Sequence, residues 1–137
     1  MKIQIDLGPA RPKWLRRSRL FGVVIKALLD ALVIIDLIYI RMHRVPLLYQ
    51  AGVRYQEEPD GQIESFDSIP AILARGWGDC DDLAPWRVAE LRAMGEKAKI
   101  RIQWKMNVIS GTKMFHIVVR RADGTIEDPS AILGMNG

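Results

Sequence analysis

From Lys99 onward, apolar and polar residues alternate: Ile100, Ile102, Trp104 and Met106 stand between Lys99, Arg101, Gln103 and Lys105. A period of two is that of a half-buried strand. A second, more apolar strand is expected from Met114 to Arg120 after a turn at Gly111. A third is expected from Thr125 to Asp128, closed by Pro129. Upstream the period is helical. A long helix is predicted from Arg19 to His43, with Ser18 as its N-cap and Pro46 beyond its end. A short helix is predicted over Ile69 to Ala74, capped by Asp67 or Ser68, with Pro70 in its first turn. Another, beginning near Cys80, carries Leu83, Trp86, Leu91 and Met94 at helical spacing and ends at Gly95. Residues 47–67 read as irregular, with a Pro59-Asp60-Gly61 turn. Helices followed by an antiparallel meander make the chain α+β. Residues 1–17 read as an extended basic arm broken by Pro9 and Pro12. Residues 18–137 read as a single domain, with the helix in 18–44 and a core in 45–137.

A length of 137 residues suits one domain with a core of useful size, and 49% hydrophobic with 26% charged residues is near the soluble average. The net charge of +4 is concentrated in Arg11, Lys13, Arg16, Arg17 and Arg19. Such a run is a solvated tail or an arm that touches nucleic acid or an acidic protein. A nucleic-acid role finds no further support, because no helix shows a clustered basic face and no aromatic stripe lies on the meander. The apolar stretch Leu20–Ile40 is long enough to cross a bilayer, but Lys26, Asp30 and Asp36 interrupt it. Each charge would cost roughly 2.5–3.5 kcal/mol at the bilayer centre, so a wide-faced amphipathic helix is expected and no membrane span. Asp6 and Pro9 argue against a secretory signal peptide. The lone cysteine excludes an intramolecular disulfide. One Cys with two His is too few for a Cys/His zinc site, and no metal or cofactor is expected.

Cys80 falls where Gly76-Trp77-Gly78-Asp79 enters a helix. Free N–H groups and the positive end of the dipole there favour a thiolate and can hold an oxyanion. Asp79, Asp81 and Asp82 suit the first turn as caps but oppose a thiolate, so a neighbouring imidazole is needed. His116 in the second strand is the candidate, although a strand histidine is commonly just a satisfied core residue. Asp128 would accept the other imidazole N–H. Hairpin geometry tests this. A two-residue loop at Asp123-Gly124 puts Asp128 opposite Val119, on the wrong face. A three-residue loop, Ala122 to Gly124 with Gly124 left-handed, pairs Arg121 with Thr125 and puts Asp128 opposite Val118, diagonal to His116.

The run Gly78-Asp79-Cys80-Asp81-Asp82-Leu83-Ala84, continuing through Trp86 to Gly95, resembles the nucleophile helix of transglutaminase-like (papain-like) cysteine peptidases. Phe115-His116-Ile117-Val118 resembles their histidine strand, and Asp123 to Pro129 their aspartate strand. The resemblance spans about residues 45–135, and short proteins of this type are encoded by tailed bacteriophages and prophages. It implies a papain/transglutaminase-like core in which the nucleophile helix packs on a small antiparallel sheet, with the long N-terminal helix as an addition. It implies Cys80 as nucleophile, His116 as general base and Asp128 as orienting acid. The Cys80 backbone N–H would be one oxyanion donor, with Tyr49, Gln50, Tyr55 and Trp77 as candidates for the second. Pro85, which removes a helical bond to Asp81, predicts a helix that starts a turn later or kinks.

The activity implied is thiol acyl transfer, with hydrolysis of an amide or isopeptide bond favoured because water needs no second binding site. A protein, a peptidoglycan stem peptide and an isopeptide are all open as substrates. The rival reading is a structural or assembly component of a phage head or tail that reuses the fold. It would bind phage proteins through the Arg19–His43 helix and the arm. The implied location is the host cytoplasm or the virion.

Overall fold

The computed structural model describes residues 2–6, 19–57, 63–106 and 113–135. Ser18, Arg11, Lys13, Trp14, Arg16, Arg17, the Pro59-Asp60-Gly61 turn and Gly111 lie outside these residues. The chain is α+β: four helices and seven strands are described. In order they are β1 (Lys2–Asp6), α1 (Arg19–Met42), a 3-10 turn (Leu48–Gln50), β2 (Arg54–Tyr55), β3 (Ile63–Asp67), α2 (Ile69–Arg75) and β4 (Trp77–Gly78). They are followed by α3 (Cys80–Ala93), β5 (Lys99–Met106), β6 (Lys113–Arg120), β7 (Ile126–Glu127) and α4 (Pro129–Ile132).

The strands form three small sheets. β5, β6 and β7 make the expected antiparallel meander, with Ile102 opposite Ile117 and Gln103 opposite His116. β1 pairs antiparallel with β3, Lys2 opposite Asp67 through Asp6 opposite Ile63. The first residues of the basic arm are therefore a strand of the domain. β2 pairs in parallel with β4, Tyr55 opposite Gly78. The stretch 47–67 thus holds a helical turn and two strands. Their partners lie far away in sequence, which a local pattern does not reveal.

α3 lies at the centre. Ten of its fourteen residues are buried, so it packs on both sides rather than along one stripe. Ala84, Val88, Ala89 and Leu91 join Ile25, Leu29, Leu32 and Val33 of α1 and Ile117 and Val119 of β6 in one cluster. Leu83 and Trp86 join Leu48, Val53, Ile69 and Ile72 in the other. The C-terminus of α3 closes as a Schellman turn, Glu96 N–H to Leu91 at 2.9 Å and Gly95 N–H to Arg92 at 3.0 Å. Among the described residues, no helix is long and apolar enough to cross a membrane.

Among the described residues, the inward face of α1 holds one charged-type residue, Asp36, with no exposed surface. Its Oδ1 accepts the N–H of Ile69 at 3.0 Å at the start of α2, and its Oδ2 has no partner. Burial pushes its carboxyl from 3.8 up to about 8, against the Ile69 N–H. The folded protein therefore holds a proton that the unfolded chain releases above about pH 4, so stability falls as pH rises from there to about 8. Asp36→Asn keeps the acceptor and removes the titration. The expected result is little change at pH 4 and, at pH 8, a variant more stable than wild type by at least about 1.4 kcal/mol, measured by urea unfolding at both pH values.

Candidate active site

Cys80 is the first residue of α3. The helix starts here and not a turn later. Pro85 is accommodated within it, which corrects the expected delay. The start is held by a reciprocal box: the Asp79 side chain accepts the Asp82 N–H, and the Asp82 carboxylate accepts the Asp79 N–H at 3.3 Å. Gly78 makes room for it, since a Cβ there would stand 3.1 Å from the Asp82 Cβ and 3.2 Å from Leu83 Cδ2. Asp82 also accepts the Asp67 N–H and the Arg75 Nη2, each at 2.8 Å. Arg75 bonds the Asp67 carboxylate, donates to the Trp77 carbonyl at 2.7 Å and lies 4.1 Å over the Trp77 ring. One guanidinium thus joins β3, β4 and the first turn of α3.

His116 and Asp128 meet as the three-residue hairpin requires. Arg121 donates to Thr125 at 2.8 Å, Gly124 donates to Arg121 at 2.9 Å with φ of 89°, and Val119 stands opposite Glu127. That register puts Asp128 on the His116 face. His116 Nε2 lies 2.8 Å from Asp128 Oδ2, while Asp128 Oδ1 accepts the Ala131 N–H at 3.2 Å. Asp128 is therefore also the N-cap of α4, with Pro129 at the first helical position. Both of its oxygens are used, so its orientation is fixed from two sides.

Because Pro129 turns into α4, β7 ends at Glu127. The register would bring residue 129 opposite Ile117, and a proline there has no N–H to offer. The Ile117 N–H is instead directed to the Cys80 sulfur. The Asp128 charge reaches the sulfur as well, while among the described residues no hydrogen bond joins Cys80 to His116. The His116 and Asp128 side chains keep 15% and 28% of their surface exposed.

Burial pushes the Cys80 thiol from 9.0 up to about 12. Asp79, Asp82 and Asp128 act in the same direction, against the Ile117 N–H. Burial also raises Asp81, whose hydrogen bond to Asp79 adds to the effect, and it raises Asp82, with Asp79 adding to it. The oxygens of Asp79, Asp81 and Asp82 lie within 4.8 Å of one another, a spacing open to a cation. Two of the three are committed to the cap and to Arg75.

The four side chains considered as second oxyanion donor separate clearly. The Tyr49 hydroxyl donates to Glu127 Oε2 at 2.6 Å, Gln50 is exposed on the 3-10 turn, and the Trp77 ring is covered by Arg75. The Cys80 charge reaches Tyr55, whose backbone pairs with Gly78, two residues before Cys80. Burial, then Glu57, Cys80, Asp79 and Asp81, push its hydroxyl up to about 12, so it is a donor.

The sequence reading did not anticipate the clamp behind the site. Glu127 accepts from Tyr49, from Arg87 Nε at 2.6 Å and from Arg121 Nη1 at 2.8 Å. Arg87 also bonds Glu90 at 2.7 Å, and Arg121 holds Glu96 at 2.5 and 2.7 Å. The only local signal was Glu127 beside Asp128. No protein-family model, curated protein or solved structure matches the chain.

Two outcomes are expected. Arg75→Met leaves the fully buried Asp67 and Asp82 carboxylates without their cation and lowers unfolding stability by roughly 3–5 kcal/mol, read by denaturant titration. Native Cys80 reacts slowly with iodoacetamide at pH 8, and its rate climbs through pH 9 without a plateau. Asp79→Asn keeps a capping side chain but removes the charge that ranks next after burial, so alkylation at pH 8 accelerates.

Proposed function

We propose that Cys80, His116 and Asp128 form a thiol acyl-transfer site of the papain/transglutaminase-like kind, acting by hydrolysis of an amide or isopeptide bond in a protein or peptide. The observation that carries this reading is the use of His116 Nε2 by Asp128. It leaves Nδ1 as the free imidazole nitrogen, on the residue whose own peptide touches the Cys80 sulfur.

The thiol is protonated at rest, so His116 works as a general base during attack rather than through a stored ion pair. Nδ1 takes the thiol proton as sulfur bonds to the substrate carbonyl carbon, and the Asp128 carboxylate stabilises the imidazolium. The Cys80 N–H, an orphan donor of the first helical turn, and the Tyr55 hydroxyl face the developing oxyanion. Collapse breaks the C–N bond, and the imidazolium protonates the leaving amine. Water, deprotonated by His116, then cleaves the thioester and restores the thiol.

A structural role in a phage head or tail is the second reading. It is favoured by the same thiol, buried among acids and far from ionised at neutral pH. Incubation with a p-nitrophenyl ester, followed by mass spectrometry, separates the two. The acyl-transfer reading expects an acyl adduct on Cys80, none in Cys80→Ala, and nitrophenol release slowed roughly 10²–10⁴-fold in His116→Ala. Absence of any adduct on wild-type Cys80 leaves the structural role.

A further inference from the structure

α1 has two apolar faces, and among the described residues only one of them packs into the core. At 100° per residue, Ile25, Leu29, Leu32, Val33 and Asp36 point into the core, all buried. On the opposite side Val23, Ala27, Ala31, Ile34, Ile38 and Met42 form a second line, stepping by four, four, three, four and four residues. All six are exposed, with Val23 at 63%, Ile34 at 55%, Ile38 at 53% and Met42 at 72%. Val24, at 46%, widens one end. No charge interrupts this line over about 28 Å of helix. Along one edge run Lys26 and Asp30, paired with each other at 2.7 Å, and exposed Arg41.

We infer that this face binds a second copy of the chain, α1 against α1 in antiparallel orientation about a two-fold axis. The order of side-chain sizes selects that occupant. About the midpoint of the line, Val23 stands opposite Met42 of the other copy, Ala27 opposite Ile38, and Ala31 opposite Ile34. Every alanine then meets an isoleucine, and every such contact occurs twice, as an isologous interface demands. A parallel pair in register would instead set alanine against alanine and isoleucine against isoleucine, leaving gaps between bulges. Two alanines next to the centre also let the helix axes approach to the close end of the usual 8–10 Å.

The area agrees. The line presents roughly 500 Å² of apolar surface, in the upper part of the range for the largest patch of a monomer. Doubled across the axis, this is roughly 1,000 Å², where specific interfaces begin. Apolar surface at the centre with charges at the rim is the usual anatomy of such a contact. The inference is independent of the Cys80 chemistry, because the line lies on the side of α1 turned away from the core.

Sedimentation equilibrium of the full chain from about 1 to 100 µM tests it by mass action. Twice the 15.6 kDa chain mass is expected, with Ile34→Glu weakening the dimer by roughly 100-fold or more. Orientation is read by mixing Ala27→Cys with Ile38→Cys, each in a Cys80→Ser chain, and oxidising. The antiparallel pair yields the 27–38 heterodisulfide. A monomer throughout the range would assign the face to some other partner and overturn the proposal. A dimer indifferent to Ile34→Glu, or one that crosslinks 27 to 27, would do the same. These positions are exposed, so folding is preserved, which circular dichroism of each variant checks.

Discussion

Glu127 is the residue on which the rest of the site depends. Its carboxylate accepts from Tyr49, Arg87 and Arg121, which belong to the 3-10 turn, α3 and the β6–β7 hairpin. Burial alone would raise its carboxyl, yet Arg87 and Tyr49 hold it below the usual range. Hydrogen bonds to charged groups contribute about 1.5–3 kcal/mol each, so the hairpin is pinned to α3 far more firmly than two residues of β7 could manage by ladder bonds. Asp128 is the next residue along. Asp128, the partner of His116, is therefore held against the Cys80 helix through its neighbour Glu127.

The first turn of α3 carries a conflict between stability and reactivity. A helix N-terminus favours an anion by about 0.3–1 kcal/mol, and by about 2 at most. Moving the thiol from 9.0 to about 12 corresponds to about 4 kcal/mol against ionisation. Burial and the acids that cap the helix outweigh its dipole. Asp79 and Asp82 cap the start of α3, and Asp82 also anchors Asp67 and Arg75. The same carboxylates that cap the helix thus keep the Cys80 thiol protonated. Against them stands the Ile117 N–H, which lowers the thiol but does not outweigh them.

The elements legible in the sequence were those with strong local signals. The bounds of α1, the β5–β6 alternation and the Schellman end of α3 at Gly95 follow from local periodicity and turn residues, whereas the start of α3 at Cys80, with Pro85 inside the helix, did not. The three-residue hairpin followed from a side-chain argument, the need to bring Asp128 to the His116 face. What escaped depended on distant partners. β1 and β3 find each other across some sixty residues, and β2 and β4 are two-residue strands without a period to read. Asp128-Pro129 was read as the end of a strand. It is equally an N-cap followed by proline at the first helical position, and that second role is what fixes the carboxylate. Among the oxyanion candidates, chemistry alone could not separate Tyr49 from Tyr55, because both are tyrosines near the 3-10 turn. Only the parallel β2–β4 pair sets one opposite Gly78, on the strand that leads into Cys80, and leaves the other to Glu127.

The long helix is also tied to the site. Asp36, on its buried face, takes the N–H of Ile69 and so fixes the first turn of α2. Arg75, the last residue of α2, takes Asp82 and so fixes the first turn of α3. α2 spans seven residues, about 10 Å of helix, and has a buried polar anchor at each end. The path from the centre of α1 to Cys80 therefore runs through two carboxylates and one short rigid element, each held by a directional bond rather than by apolar packing alone. Apolar contacts tolerate small sliding, whereas hydrogen bonds weaken steeply once bent below about 120°. The position of α1 on the core thus constrains where α3 begins, and the helix whose outer face is offered to a second copy is the one whose inner face sets the frame for the Cys80 thiol.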